Sequence, residues 1–278
     1  MVPLDTRLSV VIVSYNSASV IIDCLGDFID TSHFDIFIVD NASPDKSAET
    51  LSARFPSTHV IPLHSNIGYG GAANQVLRQI QTPYALLLNP DISTNDQDIE
   101  TLTGILEQQP DAAILAPLTD KQRASSATLT EKEWVLGAAM MFNMDIIKSL
   151  GFFDEKIFLY YEEQDLCYRA RQAGYKVLQT NQVYFPHLKA QSTTPSDAIY
   201  YLRHWHIAWS SAYFFRKYSV DKGRNAPTYM LIRYFLKFVL TFNRKKSLKY
   251  RARCAGVPAY LRGDEAYTKD HKPQALSQ

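Results

Sequence analysis

Asn89-Pro90-Asp91 closes the uncharged run Tyr84-Ala85-Leu86-Leu87-Leu88. A short apolar run of this kind reads as a strand buried on both faces. Its end lies at the carboxyl edge of an α/β sheet, where such folds bind ligands. Pro90 stiffens the exit, so Asp91 is held in place. A held carboxylate suits a hard divalent cation that also touches phosphate oxygens, although the same tripeptide also makes an ordinary turn. His187, after Phe185-Pro186, is either a second ligand for such a cation or a structural histidine.

Two more strand ends face the same edge. Asp40 closes Phe34–Val39, and Ser14-Tyr15-Asn16 follows Leu8–Val13. A carboxylate can accept the imide N–H of a pyrimidine base, and Tyr15 can stack on that base. The alternative for Asp40 is an Asx-turn or helix cap, given Ser43-Pro44-Asp45 nearby. The acids Glu162, Glu163 and Asp165 open a helix directly after Phe158-Leu159-Tyr160-Tyr161. Acids there complement the helix dipole; among aromatic walls and other carboxylates, a glutamate also gains a raised pKa and suits a general base. Asp165 stands four residues before Arg169, a spacing that allows them to pair.

Asn66-Ile67-Gly68-Tyr69-Gly70-Gly71-Ala72-Ala73-Asn74 contains GxGxxA, with Asp91 downstream where a ribose-binding acid would lie. A dinucleotide site is one reading. A glycine turn that lets backbone approach a phosphate or sugar is another, and a tight strand-to-helix connection is the third.

The elements that must position these groups alternate. Strands are expected at Leu8–Val13, Phe34–Val39, near His59–Leu63, at Tyr84–Leu88 and at Ala112–Leu115. Helices fall between them, the last over about Asp96–Gln108. This is the pattern of a mostly parallel sheet with crossovers. Residues 117–131 read as a mobile loop, Trp134–Phe142 as strand-like, and Phe152–Tyr160 as an aromatic loop. A helix over Glu162–Ala173 is closed by Gly174, and two short strands follow at Tyr175–Leu178 and Val183–Phe185. From Ser196 the pattern is helical.

The 278 residues suffice for one large domain or a domain plus an appendage. Cys24, Cys167 and Cys254 are odd in number and far apart, which argues for a reducing compartment and against structural zinc. The N-terminal residues show no signal peptide, and no apolar stretch is long enough to span a membrane. The charge is strongly divided. Residues 1–199 carry 13 Lys/Arg against 24 Asp/Glu, a net of −11, whereas residues 200–262 carry 14 against a single acid, a net of +13. Thr228–Phe242 reads as a helix with a wide apolar face and a narrow cationic stripe of Arg233 and Lys237. Such a helix lies on an anionic membrane surface or packs on the rest of the protein. No recognition motif accompanies the charge, so no nucleic-acid partner is expected.

Taken in order, these segments resemble the inverting family-2 nucleotide-sugar glycosyltransferases, and more narrowly their bacterial rhamnosyltransferase-like branch. The similarity runs over about residues 8–190, through Val10–Asn16, Val39–Ser43, Asn66–Asn74, Leu88–Asp91, Gly137-Ala138-Ala139, Gly151–Asp154, Phe158–Cys167 and His187. It implies a GT-A fold, a Rossmann-like, mostly parallel sheet flanked by helices, over residues 1–195. The nucleotide-sugar half would span about 1–115 and the acceptor half about 116–195, with a basic amphipathic helical appendage over 196–278. It further implies that Ser14, Tyr15, Asn16, Asp40, Asn66, Gly68, Gly70, Asn74, Asn89 and Asp91 bind the dTDP- or UDP-sugar. Asp91 and His187 would hold Mg²⁺ or Mn²⁺, and Trp134, Gly137 and Ala138 would line the sugar and acceptor pocket. Glu163 stands at the catalytic-base position, with Glu162 and Asp165 beside it. Asn89 replaces the first acid of the family's Asp-x-Asp, and Glu163 an aspartate. The implied reaction moves a sugar, L-rhamnose in that branch, to a lipid-linked saccharide in surface polysaccharide assembly, on the cytoplasmic face of a membrane. The rival expectations are an NAD(P)-dependent oxidoreductase and an inactive GT-A scaffold.

Overall fold

The computed structural model describes residues 5–119, 127–187 and 196–267. β1 (Asp5–Ser14) and β4 (Tyr84–Leu88) pair in parallel near the middle of the sheet, and Val10–Ile12 and Leu86–Leu88 are fully buried. Runs this apolar need cover on both faces, as parallel crossovers provide. β1 also pairs with β2 (Phe34–Asp40), and β2 with β3 (His59–Pro62), all parallel. α1 (Ala18–Thr31), α2 (Ser47–Arg54) and α3 (Tyr69–Leu77) make the connections.

Beyond β4 the sheet becomes mixed. α4 (Asp96–Glu107) leads to β5 (Ala112–Leu118), which is followed by β6 (Leu129–Glu131), β7 (Ala139–Asn143) and β8 (Lys176–Tyr184). The strand order is β3-β2-β1-β4-β7-β5-β8-β6. β7 runs antiparallel to β4 and β5, β5 and β8 are parallel, and β6 is antiparallel to β8. The result is a mixed α/β fold with a mostly parallel sheet and helices on its faces.

Several local expectations are revised. The two short strands expected after Gly174 are one, β8. Its polar centre is tolerated because Thr180 is buried and its hydroxyl donates to the Thr128 carbonyl at 3.0 Å. The loop expected over 117–131 is narrowed by β5 at one end and β6 at the other; residues 120–126 lie outside the described residues. Trp134–Phe142 is strand only from Ala139. The chain then enters α5 (Met144–Leu150), which Asn143 caps and Gly151, at φ +83°, terminates. α6 (Glu162–Gln172) begins at the acidic cluster as expected.

The chain divides into two units, and neither is continuous in sequence. The first comprises 1–64, 72–153 and 163–194; the second comprises 65–71, 154–162 and the chain from 195 onward. Thus the glycine segment and the aromatic loop group with the C-terminal helices, across the boundary at 195 expected from the sequence. In the second unit, α7 (Asp197–Lys217) and α9 (Arg244–Arg262) form a core from Trp205, Trp209, Ala252 and Ala259. Gly256 lets α9 approach the Trp205 carbonyl closer than any Cβ would allow. α8 (Pro227–Val239) is shorter than expected, leaving Phe242 outside the helix. No helix among the described residues is long and apolar enough to cross a membrane.

Candidate active site

Hydrogen bonds splice the ends of β1 and β2 together. Asn41 N–H donates to the Ser14 carbonyl at 2.8 Å, and Asn16 N–H donates to the Ser43 hydroxyl at 2.9 Å. Ser43 in turn donates to Asp40 twice, from its backbone N–H to Oδ2 at 2.9 Å and from its hydroxyl to Oδ1 at 2.5 Å. Asp40 therefore holds the turn to Ser43, three residues on, through its own carboxylate. A carboxylate offers about four acceptor positions, so capacity for a base N–H remains. Asn16, at φ +52°, turns the chain, and Tyr15 is left exposed beside it. Ser43 ties all of this together. In the sequence it is visible only as a turn residue.

The exit of β4 meets His187. Ile92 and His187 form an antiparallel bridge, and Ser93 N–H donates to the Pro186 carbonyl at 3.0 Å. This brings His187 Nε2 to 3.3 Å from Asp91 Oδ1, with the two side chains 14% and 2% exposed. No hydrogen bond joins them. Asp91 Oδ1 and His187 Nδ1 are both buried without a hydrogen-bond partner among the described residues. Such orphans are costly in a protein interior, and a bound cation would satisfy the carboxylate. The carboxylate suits Mg²⁺ or Mn²⁺, and the imidazole nitrogen favours the transition metal, Mn²⁺, over Mg²⁺. Among the described residues no group of three His, Cys, Asp or Glu side chains gathers, so further ligands would have to come from substrate and water. Burial, then the charge of Asp91, pushes the nearby Cys24 thiol up.

From this pair a series of contacts leads to the acidic helix. Asn89 N–H donates to the Ala138 carbonyl at 2.9 Å. A Cβ at the adjacent Gly137 would sit 3.5 Å from Glu163 Cβ, so Gly137 packs directly on that glutamate. Trp134 is 43% exposed at the other end of the segment. Glu162 is buried, and Asp165 is fully buried with its Oδ2 accepting from Arg169 Nε at 2.8 Å. The same guanidinium donates to the Leu150 and Phe152 carbonyls. Asp165 is thus a structural anchor for α6. Burial pushes the Cys167 thiol on this helix up to about 12, too high for a thiolate nucleophile.

Three expected ligands are engaged by the protein itself. Asn74 is fully buried, its Nδ2 donating to the Phe153 carbonyl at 3.0 Å and its Oδ1 accepting from Phe153 N–H at 3.1 Å. Gly68, at φ +81°, lies against the Phe158 backbone so closely that a Cβ would overlap the carbonyl. Asn66 Oδ1 accepts from Gly68 N–H at 3.1 Å, and Tyr69 N–H donates to the Phe158 carbonyl at 3.0 Å. Gly70 follows in the first turn of α3. The GxGxxA spacing is therefore explained by protein backbone contact.

This fold, with polar groups converging on its strand ends, is that of the GT-A glycosyltransferases. The Glycosyl transferase family 2 model matches residues 9–181, and the chain belongs to that family. It is a glycosyltransferase, which sets aside the oxidoreductase expectation. The chain is 25% identical to the low-salt glycan biosynthesis hexosyltransferase Agl10 of Haloferax volcanii, with 86% of each chain covered. It is 22% identical to the N-acetylglucosaminyl-diphospho-decaprenol L-rhamnosyltransferase of Mycobacterium tuberculosis, over 61% of this chain and 71% of the relative. Among solved structures, it resembles the mannosyltransferase PcManGT of Pyrobaculum calidifontis in complex with GDP-Man and Mn²⁺. The TM-score is 0.61 at 15% identity, covering 92% of this chain and 87% of that one.

Proposed function

We propose that this glycosyltransferase moves L-rhamnose from dTDP-L-rhamnose to a hydroxyl of a lipid-linked saccharide, with inversion. The proposed setting is the cytoplasmic face of a membrane, in surface polysaccharide assembly. The observation that carries the reading is the buried, unsatisfied Asp91–His187 pair at the carboxyl edge of the sheet. The names of the two relatives support hexosyl transfer and a polyprenyl-diphosphate acceptor.

In this reading Asp40 accepts the base N–H, with Ser14 and Asn16 shaping the crevice and Tyr15 stacking. Asp91 and His187 hold Mg²⁺ or Mn²⁺, whose charge would offset that of the departing diphosphate. Asn89 positions the Gly137-Ala138 wall, and Glu163, packed on Gly137, takes the proton from the acceptor hydroxyl. Attack in line with the departing diphosphate then inverts the anomeric carbon. Asp165 is committed to Arg169, which favours the two glutamates as base.

Thermal unfolding with dTDP-, UDP- and GDP-sugars, each with and without Mn²⁺, tests the reading. Stabilisation by a dTDP-sugar only with metal is expected, and Asp91→Asn should abolish it. Binding 100-fold above Kd adds about 2.7 kcal/mol of stability, enough to read as a clear shift. A metal-independent response, or the same response in Asp91→Asn, would refute the metal assignment. Preference for a UDP- or GDP-sugar would move the donor.

A further inference from the structure

α8 is apolar around most of its circumference, yet only one arc is covered. Pro227, Met230 and Tyr234 are buried, and the latter two pack with Ala208 of α7 and Val257 of α9. At 100° per residue the opposite arc carries Ile232, Phe235, Leu236 and Val239, which are 53–60% exposed. Leu240 and Phe242, in the exit turn, are 74% and 102% exposed. A helix apolar on all sides is normally buried, and monomer surfaces rarely line up so many large side chains.

A cationic seam borders the uncovered arc. Arg233 and Lys237 occupy the edge of α8, where Lys237 lies over the Tyr250 ring and Arg233 over Tyr234. From α9, Lys249 and Arg253 lie over the same two rings. Among the described residues no carboxylate pairs with these four. Burial lowers the Lys249 pKa, and Arg253, Lys237 and Lys246 add to the effect, as expected where like charges crowd. An apolar arc alone would fit many partners; the unneutralised seam beside it selects a surface that offers both acyl chains and phosphates.

We propose that the outer arc of α8 and its exit turn insert into the headgroup–acyl boundary of an anionic bilayer, with Arg233, Lys237, Lys249 and Arg253 on lipid phosphates. This rests on the membrane setting proposed above and assigns it to one face. At 13 residues α8 is too short to span the bilayer, so it lies in the interface.

The test is flotation of the full chain with vesicles of phosphatidylcholine, alone or mixed with phosphatidylglycerol. Wild type should float with the mixed vesicles only. F235E/L236E should lose at least about tenfold in partitioning, and R233E/K237E at least about thirty-fold, with a weaker salt dependence. Both pairs are solvent-facing, and the Mn²⁺-dependent response to sugar nucleotide should persist in each variant. Wild type failing to bind the mixed vesicles would overturn the membrane setting but leave sugar transfer standing. Wild type binding with F235E/L236E unimpaired would overturn the assignment to α8. Equal binding to neutral vesicles, or retention on duplex DNA without vesicle binding, would overturn the lipid-phosphate role of the seam.

Discussion

His206 on α7 is fully buried, stacks on Phe158 with ring centroids 4.7 Å apart, and has no hydrogen-bond partner for either ring nitrogen among the described residues. Burial lowers its pKa from 6.5 to about 3, so the fold holds it neutral. The unfolded chain protonates it from about pH 6.5 downward while the folded chain does not. Its contribution is therefore intact above pH 6.5 and is lost as pH falls, by about 1.4 kcal/mol per unit. His206→Phe should flatten the acid limb of a stability–pH curve between about pH 6.5 and 4.5, without loss at pH 7. An unchanged limb would place the acid sensitivity elsewhere. Glu163→Gln should lower kcat by about 10²- to 10⁴-fold while sparing donor-induced stabilisation. A loss confined to KM would instead make Glu163 a binding residue.

Among the elements, the connection from the glycine turn to α3 depends on one backbone contact. Gly68→Ala places a Cβ against the Phe158 carbonyl at a φ of +81°, which combines steric overlap with left-handed strain. A stability loss above about 2 kcal/mol is expected in urea unfolding, and a loss under about 0.5 kcal/mol would show that the turn can relax. The sequence reveals that a glycine turn is there but not what approaches it, because Phe158 lies far along the chain. The same limit governs the rest. Tyr84–Leu88 is legible to the residue because an uncharged run bounded by turn residues has one reading. The split of β8 into two strands fails because Gln179–Gln182 looks like a turn until β6 covers it. The antiparallel direction of β7 leaves no mark in local pattern, and the cap signals of α5 at Asn143 and Gly151 are overshadowed by the apolar run before them. At the site, Asp91 and His187 could be nominated from strand ends. Their 3.3 Å approach depends on the Ile92–His187 bridge, which no spacing encodes. Asn74 was nominated by motif alone, and its amide is taken up by Phe153.

At the scale of the whole molecule, the question is whether residues 1–195 can act without the basic C-terminal piece. The second unit takes in 154–162, the segment that leads directly into Glu162 and Glu163. α7 holds that segment at several points. Ser210 Oγ donates to the Leu159 carbonyl at 2.9 Å, and Tyr213 Oη and Lys217 Nζ reach Asp154 Oδ2 at 2.8 and 2.7 Å. The Tyr161 ring lies 5.5 Å from Phe214. These contacts oppose real strain, because Tyr160 and Tyr161 have φ of +64° and +72°, each costing about 1–3 kcal/mol for a bulky residue. Truncation after residue 195 removes all of these α7 groups, uncovers Phe158, and leaves the two tyrosines free to relax. Three lost hydrogen bonds at about 1 kcal/mol each and an unburied Phe at about 2 come to about 5 kcal/mol, which relaxation of the two tyrosines at about 1–3 each largely offsets. The fragment 1–195 is therefore expected to lose transfer even to a detergent-solubilised acceptor, because the segment that leads into Glu163 is no longer held in its strained conformation. In that case the C-terminal helices support catalysis as well as any contact with a membrane. A fragment that retains kcat would make α7 dispensable, and would restore residue 195 as the boundary of an independent catalytic domain.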